Sequence, residues 1–254
     1  MSGSTCAAFV RNITRKARRL FDPRLAPLAL FLTGAAPAHA DPPVPGTLSN
    51  EHTITRWATA LDAAPVRERP APSAPRVAKL RYFTEDRLPE VYVALRQAYG
   101  ADGAVWVEVR VPMRPNGTTG WVPRTALNEF QTSRGALHIN RGKRTATLIR
   151  HGKRIWRSRI GVGKPGTPTP KGIFYIRERI NALRGGGPYG PIAFGTSAYS
   201  RLSDWPGGGV IGIHGTNQPG LLPGAVSHGC VRVPNTAIKR LARLLTIGTP
   251  VHIR

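Results

Sequence analysis

Acidic side chains are scarce in this 254-residue chain, with 13 Asp and Glu against 37 Lys and Arg and a formal net charge of +24. From Gly135 onward Glu178 and Asp204 are the only acids, beside 19 Lys and Arg. Hard-cation sites need several carboxylates, so this half argues against calcium or magnesium. A paired-carboxylate glycosidase would have to use those two residues alone. A Cys-His-Asp triad could recruit only Asp204, and no acid follows His214. Cysteine is almost absent too: Cys6 and Cys230 are the only two. Long hydrophobic runs are missing. The stretch Leu25 to Ala36, broken by Pro27, Thr33 and Gly34, is too short to span a bilayer. No internal repeat is present.

The start of the chain reads as an export signal. Arg11, Arg15, Lys16, Arg18 and Arg19 form a basic region, the apolar stretch follows, and Ala38-His39-Ala40 fits the small-x-small cleavage rule. Arg18-Arg19 is a weak hint of twin-arginine export. Cys6 precedes the apolar run and is badly placed for a lipid anchor. Cleavage after Ala40 would lower the formal charge to +19 and remove Cys6. The mature chain would keep one thiol and form no internal disulfide. A lone cysteine in an exported protein points to a reactive thiol or an intermolecular bridge. The positive charge implies a polyanionic neighbour. Nucleic acid is one candidate, but export and the lack of a nucleic-acid fold motif argue against it. Anionic cell-wall polymers are the other.

Gly 28 and Pro 24 favour many turns and a mainly β fold. Residues 41–62 open with Asp-Pro-Pro-Val-Pro-Gly and read as a linker. Residues 63–130 read as a small domain of short strands, among them Val91 to Leu95 and Ala104 to Val111. Residues 135–254 read as the second domain. Strands are expected over Leu137 to Asn140, Thr145 to Ile149, Arg154 to Ile160, Gly172 to Ile176 and Val210 to Ile213, with hairpin turns at Asn140 to Lys143 and Arg150 to Lys153. Residues 181–209 read as loop. Asn235 is placed to cap a helix with the apolar stripe Ile238, Leu241, Leu244 and Leu245, stopped by Gly248.

The chemistry concentrates in Ile211 to Asn217 (IGIHGTN) and Ser227 to Val233 (SHGCVRV). His214 lies 16 residues before Cys230, and His228 two before it. An imidazole beside a thiol can generate a thiolate at neutral pH, which suits a covalent acyl intermediate. With no acid available, a backbone carbonyl or hydroxyl, such as Gly215 O, Thr216 or Ser227, would orient the imidazole. Gly229 lets the chain bend, so that the Cys230 N–H can help line an oxyanion hole. Zinc held by His214, His228 and Cys230 is the chemical rival, and a purely structural role is the third reading. His138, His151 and His252 are read as structural.

His214-Gly-Thr, then Ser227-His-Gly-Cys-Val-Arg, resembles the signature of the L,D-transpeptidase (YkuD-type) family. Gly166-Thr-Pro-Thr-Pro-Lys-Gly and Thr196-Ser-Ala-Tyr199 also look like that family. The resemblance covers roughly residues 135–254. It implies a β-sandwich with one or two short helices, acting on peptidoglycan stem peptides outside the cytoplasmic membrane, with no cofactor or metal. Cys230 would attack the stem at residue three, D-Ala would leave, and a thioester would pass to an acceptor amine to give a 3→3 cross-link. His214 would be the general acid/base, with Gly215 O orienting it. Ser227, His228 and Gly229 would support the oxyanion region, and Arg232, Thr216 and Tyr199 would bind substrate. Such enzymes are often carbapenem targets. Hydrolysis, attachment to a protein amine and passive wall binding are the alternatives. The hairpin around Trp106 and Trp121 resembles bacterial SH3-like domains, which implies a small β-barrel before the catalytic domain; wall-peptide binding or a passive spacer would suit it. No transmembrane span is expected in the mature chain, and a monomer is expected.

Overall fold

The computed structural model describes residues 45–101, 103–181, 187–204 and 206–254. The expected signal at 1–40 lies outside the described residues.

The first domain contains β1 (Gly46–Thr47), β2 (Ile54–Thr59), β3 (Pro65–Arg67), β4 (Arg76–Lys79), β5 (Val91–Tyr99), β6 (Val105–Arg110), β7 (Thr119–Pro123) and β8 (Gln131–Arg134). They form one sheet in the order β4-β3-β7-β6-β5-β2-β8, with β1 paired to β5. Val107, Val109 and Val122 face an apolar core with Ala58, Val66 and Tyr92. β6 and β7 make the hairpin expected from Trp106 and Trp121, with Glu108 opposite Trp121.

The linker expected over 41–62 is corrected, because β1 and β2 lie within it. β2 is an inner strand that pairs with both β5 and β8. The proline-rich opening masked β2, which buries Thr55 and Ala58, three residues apart, on opposite faces of the strand.

The second domain contains β9 (Ala136–Asn140), β10 (Thr145–Arg150), β11 (Lys153–Arg159), β12 (Val162–Gly163), β13 (Gly172–Asn181), β14 (Ile192–Tyr199), β15 (Val210–His214), β16 (Ala225–Ser227), β17 (Val231–Arg232), α1 (Asn235–Leu241) and β18 (Pro250–Ile253). Eight strands run in the order β11-β10-β9-β18-β13-β14-β15-β17, and β12 pairs separately with β16. Helix α1 packs Ile238 and Leu241 onto Phe174, Ile211, Ile213 and Val231. The expected strands and both hairpins are present.

Two expectations change here. Residues 181–209 are not all loop, since β14 runs through the middle of the sheet between β13 and β15. Its last six residues are buried on both faces, so no apolar–polar alternation marks it. Asn235 does not cap α1. Pro234 stands at the cap, and the Asn235 side chain accepts the Thr216 N–H at 2.9 Å instead.

The two domains share buried contacts. Arg177, 1% exposed, donates from Nε to Glu90 Oε1 at 2.8 Å and from Nη2 to both Glu90 and Glu85. Tyr175 donates its hydroxyl to Val91 O at 2.8 Å. Glu178 is buried beside Gly195 and accepts from Thr84 Oγ1 at 2.6 Å. A Cβ at Gly195 would meet the Glu178 carboxyl at 2.3 Å, so glycine makes room for the acid.

Burial pushes the Glu178 carboxyl up to about 7, against the hydrogen bond from Thr84 that favours the ion. A raised carboxyl is protonated in the folded chain where the unfolded chain is ionised. Its contribution to stability is therefore present below 4.5 and is lost as pH rises through about 7. Thermal unfolding of Glu178→Gln should match wild type at acid pH and exceed it progressively across that window. An equal gap at all pH values would show that folding leaves the Glu178 pKa unshifted.

Candidate active site

β15 delivers His214 by simple alternation. Ile211 and Ile213 point into the core, leaving Gly212 and His214 on the other face. β17 joins β15 in parallel, pairing Ile213 with Val231 and His214 with Arg232. This register sets Cys230 beside Gly212, whose N–H donates to Sγ at 3.3 Å. A Cβ built on Gly212 would lie 3.8 Å from Cys230 Sγ and 3.6 Å from His214 Cδ2. Thiol and imidazole therefore flank one small gap, with the Cδ2–Nε2 edge of the ring turned toward it.

The other edge of the ring is fixed. His214 Nδ1 is 2.6 Å from Gly215 O, so the proton sits on Nδ1 and donates to that carbonyl, leaving a lone pair on Nε2. Of the orienting groups left open by the sequence, the carbonyl is the one in place. Gly215 has no room for a side chain, since a Cβ there would meet Asn235 Oδ1 at 2.4 Å and Pro191 Cδ at 2.8 Å. The Tyr189 ring packs edge-on against the imidazole at 4.9 Å. Burial drives the His214 pKa down to about 4; Arg232 adds to that, and the Gly215 hydrogen bond opposes it. His214 is neutral at physiological pH and can accept a proton.

The loop carrying Cys230 has its carbonyls tied down one after another. Ser227 O accepts from Lys164 N at 3.0 Å and His228 O from Ser200 Oγ at 3.2 Å. Gly229 O accepts from Thr169 Oγ1 at 2.7 Å and Cys230 O from Ser227 Oγ at 2.6 Å. Four satisfied carbonyls leave the loop little freedom to rotate its peptides. Gly229 takes φ +124°, and a Cβ there would meet Ile211 at 2.6 Å, so the bend requires glycine.

The remaining expected residues divide. Ser227 is buried and braces the loop, accepting the Gly229 N–H at 3.1 Å. That bond commits the Gly229 amide to the loop itself. His228 is half-buried. Burial, with Lys164 and Arg232 nearby, lowers its pKa. Arg232 is half-buried and donates to Gln218 Oε1 at 3.2 Å. Thr216 is buried and accepts the Gln218 N–H at 3.0 Å, so it shapes the loop behind His214.

Tyr199 is moved out of the site. It is buried at the domain junction, where its hydroxyl donates to Glu85 Oε1 at 2.9 Å and its ring stacks under Arg114. Sequence reasoning missed Gly212, Thr169, Ser200 and Asn235. Of these only Thr169 carried a signal, within the Gly166 to Gly172 motif. Glu178 is held at the junction, and Asp204 sits in an exposed loop. Among the described residues no three His, Cys, Asp or Glu side chains converge as a metal site.

The fold and site define a β-rich domain that presents a cysteine beside a buried neutral imidazole. Residues 134–253 match the family model of YkuD, the L,D-transpeptidase catalytic domain. A curated relative, "Putative L,D-transpeptidase YkuD" of Bacillus subtilis, is 37% identical over 116 residues, covering 45% of this chain and 63% of its own. A second protein of that name, from Bacillus licheniformis, is 36% identical over 43% of this chain and 59% of its own. This chain thus spans less than two thirds of the length of these relatives. Among solved structures, the catalytic domain of an Enterococcus faecium L,D-transpeptidase is 25% identical, with a TM-score of 0.35, over 47% of this chain and 95% of its own.

The gap beside Gly212 generates a prediction. A methyl there makes only ordinary van der Waals contacts, so Gly212→Ala should leave stability within about 1 kcal/mol. It would stand between the thiol and the imidazole, and misplacing reacting groups by an ångström costs about 100-fold in rate. Thermal unfolding and the rate of thiol alkylation, read together, check this. An unchanged alkylation rate would mean that the gap plays no part in proton transfer.

Proposed function

We propose that the second domain is an exported cysteine L,D-transpeptidase acting on peptidoglycan stem peptides. The observation that carries this reading is the thiol at Cys230 and the Nδ1-anchored His214 flanking one gap, within residues that match the L,D-transpeptidase catalytic domain.

The geometry supports the following chemistry. His214 Nε2 takes the thiol proton as sulfur attacks the carbonyl of stem residue three. Because burial holds the imidazole pKa near 4, an ion pair is disfavoured at rest, and the proton moves as the carbon–sulfur bond forms. The Cys230 amide meets the developing oxyanion. The tetrahedral adduct collapses, His214 returns the proton to the departing D-Ala amine, and a thioester remains. An acceptor amine then attacks the thioester and gives its proton to Nε2. Sulfur leaves and takes that proton from Nε2, which restores the thiol and the neutral imidazole, and a 3→3 cross-link results. Arg232 beside the site suits a stem carboxylate. Exposed Lys and Arg along β11 suit an anionic wall. No helix among the described residues is long and apolar enough to cross a membrane.

For the first domain we infer an SH3-like module that holds the catalytic domain near the wall. The β6–β7 hairpin supports this reading, and the buried contacts through Arg177 and Glu178 make it an integral support more than a loose spacer.

The full chain is incubated with disaccharide-tetrapeptide stems, and the products are weighed by mass spectrometry beside Cys230→Ala. The expected product is a dimer lighter than two intact stems by one alanine and absent from the variant. A tripeptide alone would make the protein a carboxypeptidase. A dimer formed equally by Cys230→Ala would overturn the nucleophile assignment.

A further inference from the structure

A cleft of about 750 Å³ opens at the domain junction, behind the nucleophile loop. Its walls include Arg114 and Asn116 from the β6–β7 turn, Arg141, Thr169 and Lys171 from the catalytic domain, and Arg201 after β14. Neither Cys230 nor His214 lines it, so it is distinct from the site described above. Four cations face this space and no carboxylate does. Among the described residues, none of the four forms a salt bridge.

The cations are not equally committed. Arg114 is spent on structure, donating to the carbonyls of Ser200, Leu202 and Gly208 and so fastening the loop after β14 to the first domain. Asn116 does the same, exchanging two hydrogen bonds of 2.8 Å with the Tyr199 backbone. Arg141 donates from Nη1 to Thr169 O at 2.6 Å, while its Nε is shielded from solvent without a hydrogen-bond partner. Lys171 and Arg201 are exposed. A buried guanidinium nitrogen without an acceptor is costly. Like charges gathered around a concave surface focus a positive potential that an anion relieves.

We propose that this cleft is an oxyanion-binding site for wall polymer, engaging carboxylate or phosphodiester groups through Arg141, Lys171 and Arg201. The ligand class rests on the proposed wall function. The cleft's effect on the thiol rests on geometry alone. Thr169 and Ser200 line the cleft and also hold the Gly229 and His228 carbonyls, so an anion seated there bears on the residues that fix the nucleophile loop. The first domain contributes by fastening the segment that carries Arg201, through Arg114 and Asn116, and not by engaging the anion itself.

The test uses the full chain carrying Cys230→Ala, so binding is read without turnover and independently of whether the thiol makes cross-links. Calorimetric titrations use a disaccharide-tetrapeptide, its fully amidated form and a short glycerol-phosphate oligomer. Lys171→Gln with Arg201→Gln is compared with Arg157→Gln with Arg159→Gln, an equal charge loss on exposed β11. The cleft pair should weaken binding about tenfold or more, as expected for lost charge-assisted hydrogen bonds, while the β11 pair changes it less than about twofold. Loss on amidation assigns a carboxylate. Preference for the phosphate oligomer with the same variant pattern assigns a phosphodiester. No saturable binding of any probe, or equal weakening by both pairs, would overturn the proposal. Binding of both the tetrapeptide and the phosphate oligomer insensitive to the cleft pair would do so too, since neither would then lie in the cleft.

Discussion

Burial of one imidazole sets the terms for the rest of the site. His214 is 3% exposed, so its charged form is disfavoured, and its Nδ1 proton must have an acceptor. Gly215 O supplies it at 2.6 Å. That contact in turn needs a side-chain-free residue at 215, Pro191 and Asn235 packed against it, and α1 placed to hold Asn235. The strand pairing then follows as a requirement. β17 must lie parallel to β15 to bring sulfur to the free edge of the ring. The carbonyls of residues 227–230 find their donors in neighbouring segments and in Ser227, which holds the loop in place. In a domain with two acids, neither near His214, a carbonyl performs the orienting role that a carboxylate fills in Ser-His-Asp sites.

The same economy shows at the domain junction. Two acids of the first domain are committed there. Glu85 and Glu90 surround Arg177, a fully buried cation that could not exist without them. The Tyr199 and Tyr175 hydroxyls donate to first-domain acceptors, and Glu178 accepts from Thr84 of that domain. Removing that domain would leave several buried polar groups without partners, so the catalytic half depends on it physically. β14 links this junction to the site, since it pairs with β15 and runs directly into the segment that Arg114 and Asn116 fasten.

Much of this was legible in the sequence. The Cys230 and His214 pair, the hairpins and most strands of the second domain carried clear local signals. β14 did not, because a strand buried on both faces shows no alternation and Gly195 and Ser197 look like turn residues. β2 was masked by the prolines before it. Tyr199 sits beside a family-like motif, but its direction depends on Glu85 and Pro112, more than eighty residues away in sequence. Asn235 has the right side chain for a cap, but the acceptor is drawn to a closer competitor, the Thr216 amide. Gly212 carried no signal, because its role is the absence of a side chain between two others.

The central claim is that His214 rests neutral, with its proton on Nδ1 and a lone pair on Nε2 directed toward sulfur. Nitrogen-15 NMR of histidine-labelled protein, titrated with pH, reports both ring nitrogens separately. The account predicts a protonated Nδ1 and an unprotonated Nε2 across neutral pH, with the imidazolium appearing only as pH falls toward about 4. A doubly protonated ring at neutral pH would mean a resting thiolate–imidazolium pair and would contradict the account.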